Sequence, residues 1–241
     1  MKLDVNCDLG EGEPLGHTRA LMRWITSANV ACGGHAGDVT TMQECVRLAR
    51  ATAVRLGAHP GPWNRQNLGR DRLEISPGEL ELLLLQQISV LEKIARADGV
   101  KLHHIKLHGA LYHAAEESEA LAKRYVAAVK QWWPGVKIYA LAGGRVTRFA
   151  RAARVNVWDE AFVDRGYRDD GSLVPRAKPG ALLTDLRAVT ERVRRLISDD
   201  VVVATATTRR PSPPRTLCIH SDTPNAVAIA RLTAKLLKSR C

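Results

Sequence analysis

At 241 residues, 45% of them hydrophobic, the chain is long enough to bury a substantial core and is expected to form one domain over residues 1–241. No apolar run approaches the ~20 residues of a membrane span, and the opening residues lead straight into a strand pattern, so a cytoplasmic protein without a membrane role is expected. The formal charge of +11 invites acidic ligands, but two Phe and four Tyr make no stacking platform for nucleic acid, and arginines such as Arg192, Arg194 and Arg195 read as a solvated basic surface. Five cysteines without a C-x-x-C pair read as reduced thiols.

In chain order, a strand over 3–7 precedes a helix over 15–24, and a strand over 25–32 precedes a helix over 40–56 that Asp38 or Thr40 can cap. A strand over 53–58 follows, then a helix over 77–98 opened by Ser76, Pro77 and Glu79 and closed by Gly99. Strands over 101–107, 136–141, 155–158 and 216–219 alternate with helices over 117–132, 145–153, 185–198 and 225–238. Residues 201–208 are β-branched and strand-like, and the Pro- and Arg-rich 209–215 read as an irregular excursion. About seven β/α units favour a parallel barrel over an open sheet.

Four histidines, His35, His59, His108 and His220, each follow such a run, as does Asp8. In a parallel barrel the strand ends converge on one mouth, so these scattered residues are candidates for one catalytic site. Asn6, Asp8 and Glu11 close the first strand; the two carboxylates suit a base, a water-orienting group or a hard cation. Residues 27–38 are rich in small residues and carry Asn29, His35 and Asp38 at a helix entrance, where backbone and anion approach closely. Gly57 to Gly61 set His59 before a forced turn. Lys106 and His108, two apart, share one side of a strand and pair a cation for phosphate or carboxylate with a proton carrier. Glu160, Asp164, Arg165 and Arg176 supply carboxylates and bidentate guanidinium groups, and His220 and Asp222 end the last strand. His17, His103, His104 and His113 read as surface or hydrogen-bonded structural residues.

Asn6 to Glu11, Ser27 to Asp38, Gly57 to Gly61, His108 to Tyr112, Glu160 to Arg165 and His220 to Pro224 together resemble the motif series of the LamB/YcsF family, the A subunits of bacterial 5-oxoprolinase, over essentially the whole chain. The resemblance implies a seven-stranded parallel β/α barrel of glycoside hydrolase/deacetylase type. It also implies ATP-dependent opening of 5-oxo-L-proline to L-glutamate with two further subunits. ATP, with Mg2+, follows from the resemblance alone, since no G-x-x-x-x-G-K-[ST] occurs. Departures are Gly34 for the usual aromatic residue, Leu107 for Pro and Ser221 for Gly. On this reading Asp8, His35, His59, His108, Glu160 and His220 are catalytic, while Asn6, Asn29, Asp38, Lys106, Asp164, Arg165, Arg176 and Asp222 bind substrate or phosphate. The alternatives are a metal-dependent, deacetylase-type amide hydrolase without ATP, for which His and Asp at strand ends are suitable ligands, and a subunit that only binds substrate or scaffolds its partners.

Overall fold

A computed structural model describes residues 3–176, 178–198, 202–203, 208–209 and 213–239. The elements run β1 (Asp4–Leu9), α1 (Leu15–Met22), β2 (Ser27–Ala31), α2 (Val39–Thr52), β3 (Arg55–His59), α3 (Pro77–Ala97), β4 (Leu102–Ile105), α4 (Gly109–Glu117), α5 (Glu119–Trp132), β5 (Lys137–Leu141), α6 (Arg145–Ala152), β6 (Val157–Phe162), α7 (Leu186–Ser198), β7 (Val202–Val203), β8 (Thr208–Arg209), β9 (Thr216–His220) and α8 (Ala226–Lys238). Seven parallel strands close in the order β1-β2-β3-β4-β5-β6-β9, the last pairing with both β6 and β1. Among the described residues no helix is long and apolar enough to cross a membrane.

The strands carry two interleaved sets of side chains. In β1, Val5, Cys7 and Leu9 join the apolar layer beneath the helices, as do Ala28 and Val30 of β2 and Leu217 and Ile219 of β9. The alternate residues, Asp4, Asn6 and Asp8, point inside, where Asn29, Glu160 and Thr216 meet them through hydrogen bonds and His104 in turn bonds Asn29. The barrel axis is therefore polar and the hydrophobic core surrounds it. Register sets Asp8 level with Asn29 on one side and His220 on the other, and Ala31 level with His59.

Helix ends follow the local chemistry. Asp38 caps α2 by accepting from the Thr41 N–H at 2.8 Å, and Ala53 ends it in the left-handed conformation, so the helix stops short of the expected residue 56 and the chain turns into β3. A complete capping box of Ser76 and Glu79, with Pro77 behind it, starts α3. The helix expected over 117–132 is α5, opened by Ser118, which accepts from the Leu121 N–H, and a further helix not expected from the sequence, α4, precedes it over Gly109–Glu117. The strand expected over 155–158 runs on to Phe162, so Glu160 lies within β6. Of the strand-like 201–208, residues 202–203 pair antiparallel with 208–209 outside the barrel; 201, 204–207 and 210–212 lie outside the described residues. Cys7, Cys32, Cys45 and Cys218 are free and buried. Arg192 is a correction to the solvated-surface reading: it is buried, donates to the Arg165 carbonyl at 3.1 Å and lies over the Tyr167 ring.

Candidate active site

The carboxyl ends of the strands meet at a cavity of about 290 Å3 lined by Asp8, His59, Lys106, His108 and His220, with Arg70, Arg165, Arg168 and Arg176 around it. Lys106 and His108 lie just past β4, yet the Lys106 N–H still donates to the Ala58 carbonyl and the His108 N–H to the Pro60 carbonyl. The ladder thus continues far enough to aim both side chains inward.

At the centre the Lys106 ammonium donates to Asp8 Oδ1 at 2.8 Å and Cys218 Sγ at 2.9 Å and sits 3.2 Å from Glu160 Oε1, all fully buried. Burial opposes its charge, but the carboxylates of Asp8 and Glu160 hold its pKa well above the ordinary lysine value. Burial likewise opposes the Asp8 charge, and His59 and Lys106 hold that carboxyl well below the usual range. Cys218 stays a thiol, pushed up mainly by burial. Asn29 donates to both Asn6 Oδ1 and Asp8 Oδ1 at 2.7 Å, Asn6 donates to Glu160, and Tyr112 donates to the other Glu160 oxygen at 3.1 Å. Below them His104, kept neutral by burial and then by the charges of His103 and Lys106, donates from Nε2 to Asn29 Oδ1 at 2.6 Å.

His220 is oriented from behind. Asp164 accepts from its backbone N–H at 2.9 Å, from its Nδ1 at 3.0 Å and from Thr223 Oγ1 at 2.7 Å. Burial is outweighed by the His220 charge and these bonds, which hold the Asp164 carboxyl low. The free ring edge, Nε2, faces Asp8 Oδ2 at 3.8 Å.

Beside this centre Glu11, His35, His59 and His108 converge. Glu11 Oε1 is 3.0 Å from His35 Nε2, 3.6 Å from His59 Nε2 and 2.9 Å from His108 Nδ1, and the last two nitrogens are 2.9 Å apart. The outer nitrogens are tied to backbone: His59 Nδ1 to the Lys106 carbonyl at 2.8 Å and His108 Nε2 to the Leu68 carbonyl at 2.7 Å. Burial, then the charge of His108, pushes His35 down to about 3. Its ring is placed by packing, stacked on His108 at 3.6 Å and seated against Gly61, where a Cβ would fall 2.2 Å from Nδ1. Gln87 of α3 fixes Gly61, accepting from its N–H and donating to its carbonyl. Gly34 packs against the same pair; a Cβ there would lie 2.4 Å from Gln87 Nε2, so a side chain at this position requires Gln87 to move.

Most of the sequence candidates gather here, in altered roles. Lys106 lines the cavity, but its ammonium donates to Asp8, Cys218 and, at 3.5 Å, Asn6 and lies 3.2 Å from Glu160, so its donors are engaged within the protein. Asp38 is a correction, since it is occupied as the α2 cap on a separate cavity. Asp164 is buried behind His220 instead of facing the cavity. Arg165 donates to the Ala181 and Val174 carbonyls, which brace the loop, and among the described residues no carboxylate is hydrogen-bonded to it. Asp222 is held between Arg70, at 2.7 Å, and Arg176. His17 bonds the Ser221 carbonyl at 3.1 Å, and His104 is the most buried of the structural histidines. Arg70, Arg168 and Gln87 escape a reading by motif, because nothing local to them signals a site.

The closed barrel of seven parallel strands defines the chain as a β/α-barrel protein, a fold that two solved structures of low identity share. A GH113 β-1,4-mannanase matches with a TM-score of 0.53 over 98% of this chain and 99% of its own, at 12% identity. A family 4 carbohydrate esterase from Streptomyces lividans matches at 0.50 over 99% and 89%, also at 12%. These likenesses concern the fold alone. The LamB/YcsF family model matches residues 3–241, and the chain belongs to that family. The 5-oxoprolinase A subunit of Pyrococcus furiosus is 39% identical over 99% of this chain and 94% of its own length, and the 5-oxoprolinase A subunit numbered 2 of Bradyrhizobium diazoefficiens is 41% identical over 98% and 94%. The crystal structure of the lactam utilization protein from Thermus thermophilus superposes with a TM-score of 0.90, at 37% identity, over 100% of this chain and 97% of that one.

Proposed function

We propose that this chain is the A subunit of an ATP-dependent 5-oxoprolinase, cytoplasmic and working with two further subunits, that opens the lactam of 5-oxo-L-proline to L-glutamate. The observation that carries this reading is a small cavity in which ionised Asp8 faces an aspartate-oriented histidine, His220, beneath a rim of arginines. At about 290 Å3 the cavity lies at the small end of ligand pockets, in keeping with a small metabolite. The relatives named as A subunits of 5-oxoprolinase support the substrate class.

A five-membered lactam is a resonance-stabilised amide that gains little from ring strain. ATP with its magnesium ion, when bound, would supply the phosphoryl group that activates the lactam carbonyl carbon, so that one water adds there as the ring nitrogen departs and a second water hydrolyses the resulting acyl phosphate to carboxylate and phosphate. The arginines fit an anion: Arg70, Arg165, Arg168 and Arg176 suit phosphate or carboxylate oxygens. Asp8, kept ionised by Lys106 and His59, orients the attacking water and takes its proton. His220, its Nδ1 tied to Asp164, offers Nε2 to protonate the departing ring nitrogen. His108 suits that role less well, because Nε2 is bound to the Leu68 carbonyl and Nδ1 faces Glu11 and His59.

The test is glutamate release from 5-oxo-L-proline, with and without ATP, by the chain alone and with its partner subunits. Release only with ATP and partners is expected, and Asp8→Asn or His220→Asn should cut turnover by about 100-fold or more in an assembled complex. Glutamate formed without ATP would move the reading to a metal-dependent amide hydrolase. Full turnover in both variants would leave a protein that only binds substrate.

A further inference from the structure

We propose that Glu11 Oε1, His35 Nε2, His59 Nε2 and His108 Nδ1 form a binding site for one transition-metal dication of the zinc class at the wall of the cavity. The four atoms all lie within 4.8 Å of one another. Their separations of 2.9, 2.9, 3.0 and 3.6 Å bracket the spacing a metal imposes: bonds of ~2.0–2.1 Å to a tetrahedral ion set its ligand atoms about 3.3 Å apart.

The orientation of the rings argues for the ion more strongly than proximity does. His59 and His108 each have their outer nitrogen on a backbone carbonyl, so their inner nitrogens face each other across 2.9 Å and the Glu11 oxygen, with Asp8 Oδ2 3.3 Å from His59 Nε2 as well. Something positive must lie between them, and one proton serves a single pair of atoms where a dication serves all of them. Outer hydrogen bonds from ring to carbonyl are also the usual support of metal-bound histidine. Three imidazoles and one carboxylate select zinc or a neighbouring transition ion over magnesium or calcium, which take oxygen ligands.

A second trio, Asp8, Cys218 and His220, is equally compact but differs in one respect. The Lys106 ammonium already lies 2.8 Å from Asp8 and 2.9 Å from Cys218, so a protein cation fills the place an ion would take. No lysine or arginine is bonded to Glu11 or to any of the three histidines of the first cluster among the described residues. The ion would adjoin the cavity through His59 and His108, which line it.

The full-length chain, freed of metal by chelator and dialysis, should take up one equivalent of zinc when titrated with zinc chloride. Glu11→Gln and His35→Ala should each weaken that binding by at least about 100-fold, the upper range for losing a mere outer partner, while Cys218→Ala binds as the parent does. Because a substitution in the mouth can unfold it, cobalt(II) chloride added to the unaltered chain gives a second reading. Visible bands of a low-coordinate nitrogen and oxygen site, without a thiolate charge-transfer band, are expected. A thiolate band, no saturable uptake by the folded chain, or binding unchanged in folded Glu11→Gln and His35→Ala variants overturns the proposal. None of these readings involves lactam turnover, so the site stands or falls apart from the ring-opening reaction.

Discussion

Gly57 shows how narrowly one position can be specified. A Cβ there would fall 2.1 Å from His104 Nε2, the nitrogen that donates to Asn29, which in turn holds Asn6 and Asp8. Gly57→Ala should therefore cost at least about 2 kcal/mol through overpacking and a lost buried bond. Combining it with His104→Ala should cost less than the two separate losses added, because the truncated ring leaves room for the methyl group. Urea melts of the four proteins check this, and additive losses would contradict it. At this scale the sequence is legible where chemistry is local: the histidines announce themselves by following apolar runs and preceding turns. It is silent where the partner is remote, as for Arg70, whose bond to Asp222 spans 152 positions, or Gln87, which reaches Gly61 from α3.

Among the elements, α3 carries the clearest local instruction and a large buried face that includes Leu80, Leu84, Ile88 and Leu91. Ser76 accepts from the Glu79 N–H, and Glu79 accepts from the Ser76 N–H at 2.7 Å. Ser76→Ala should remove about 1 kcal/mol, lowering the melting temperature by roughly 2–4 °C for a chain of this size; an unchanged melting curve would show that the cap is idle. The same signals explain which boundaries were legible. Ser76-Pro77-x-Glu79 and Gly99 mark both ends of α3, whereas α4 begins inside a motif that reads as a strand-end loop, at Gly109, whose φ of +52° is poor for a helix start. The end of β6 was hidden for a different reason. Asp159 and Glu160 look like a loop, yet one faces Arg151 outside the sheet and the other Lys106 within the barrel.

For the whole molecule, a polar axis makes folding depend on pH. Burial, followed by neighbouring charges, keeps His104 neutral well below its ordinary value and lowers His103 to about 4. In the unfolded chain both take up a proton near pH ~6.5. Between about 4 and 6.5 the unfolded state thus binds more protons, so this contribution is complete above about pH 6.5 and is lost as pH falls below it. A fully buried histidine gives a slope of up to about 1.4 kcal/mol per pH unit. Denaturant midpoints should fall from pH ~7.5 to ~5.5, less steeply in His104→Gln; a flat or rising profile would refute this. The barrel itself was legible from seven alternating units, because a parallel strand buried on both faces still needs an apolar set under the helices. The polarity of the other set was not, since only closure of the sheet reveals which residues face one another.

Asp222, gripped by Arg70 and Arg176, gives the mouth a resident anion of its own. The two guanidinium groups come from the segment between β3 and α3 and the segment between β6 and α7, while the carboxylate follows β9. Three stretches remote in sequence are thereby drawn together before any ligand arrives. A visiting phosphate or carboxylate does not meet bare cations there; it must outcompete a tethered carboxylate for them. An anion entering there would exchange partners with Asp222, which favours one with more oxygens to offer than a carboxylate has.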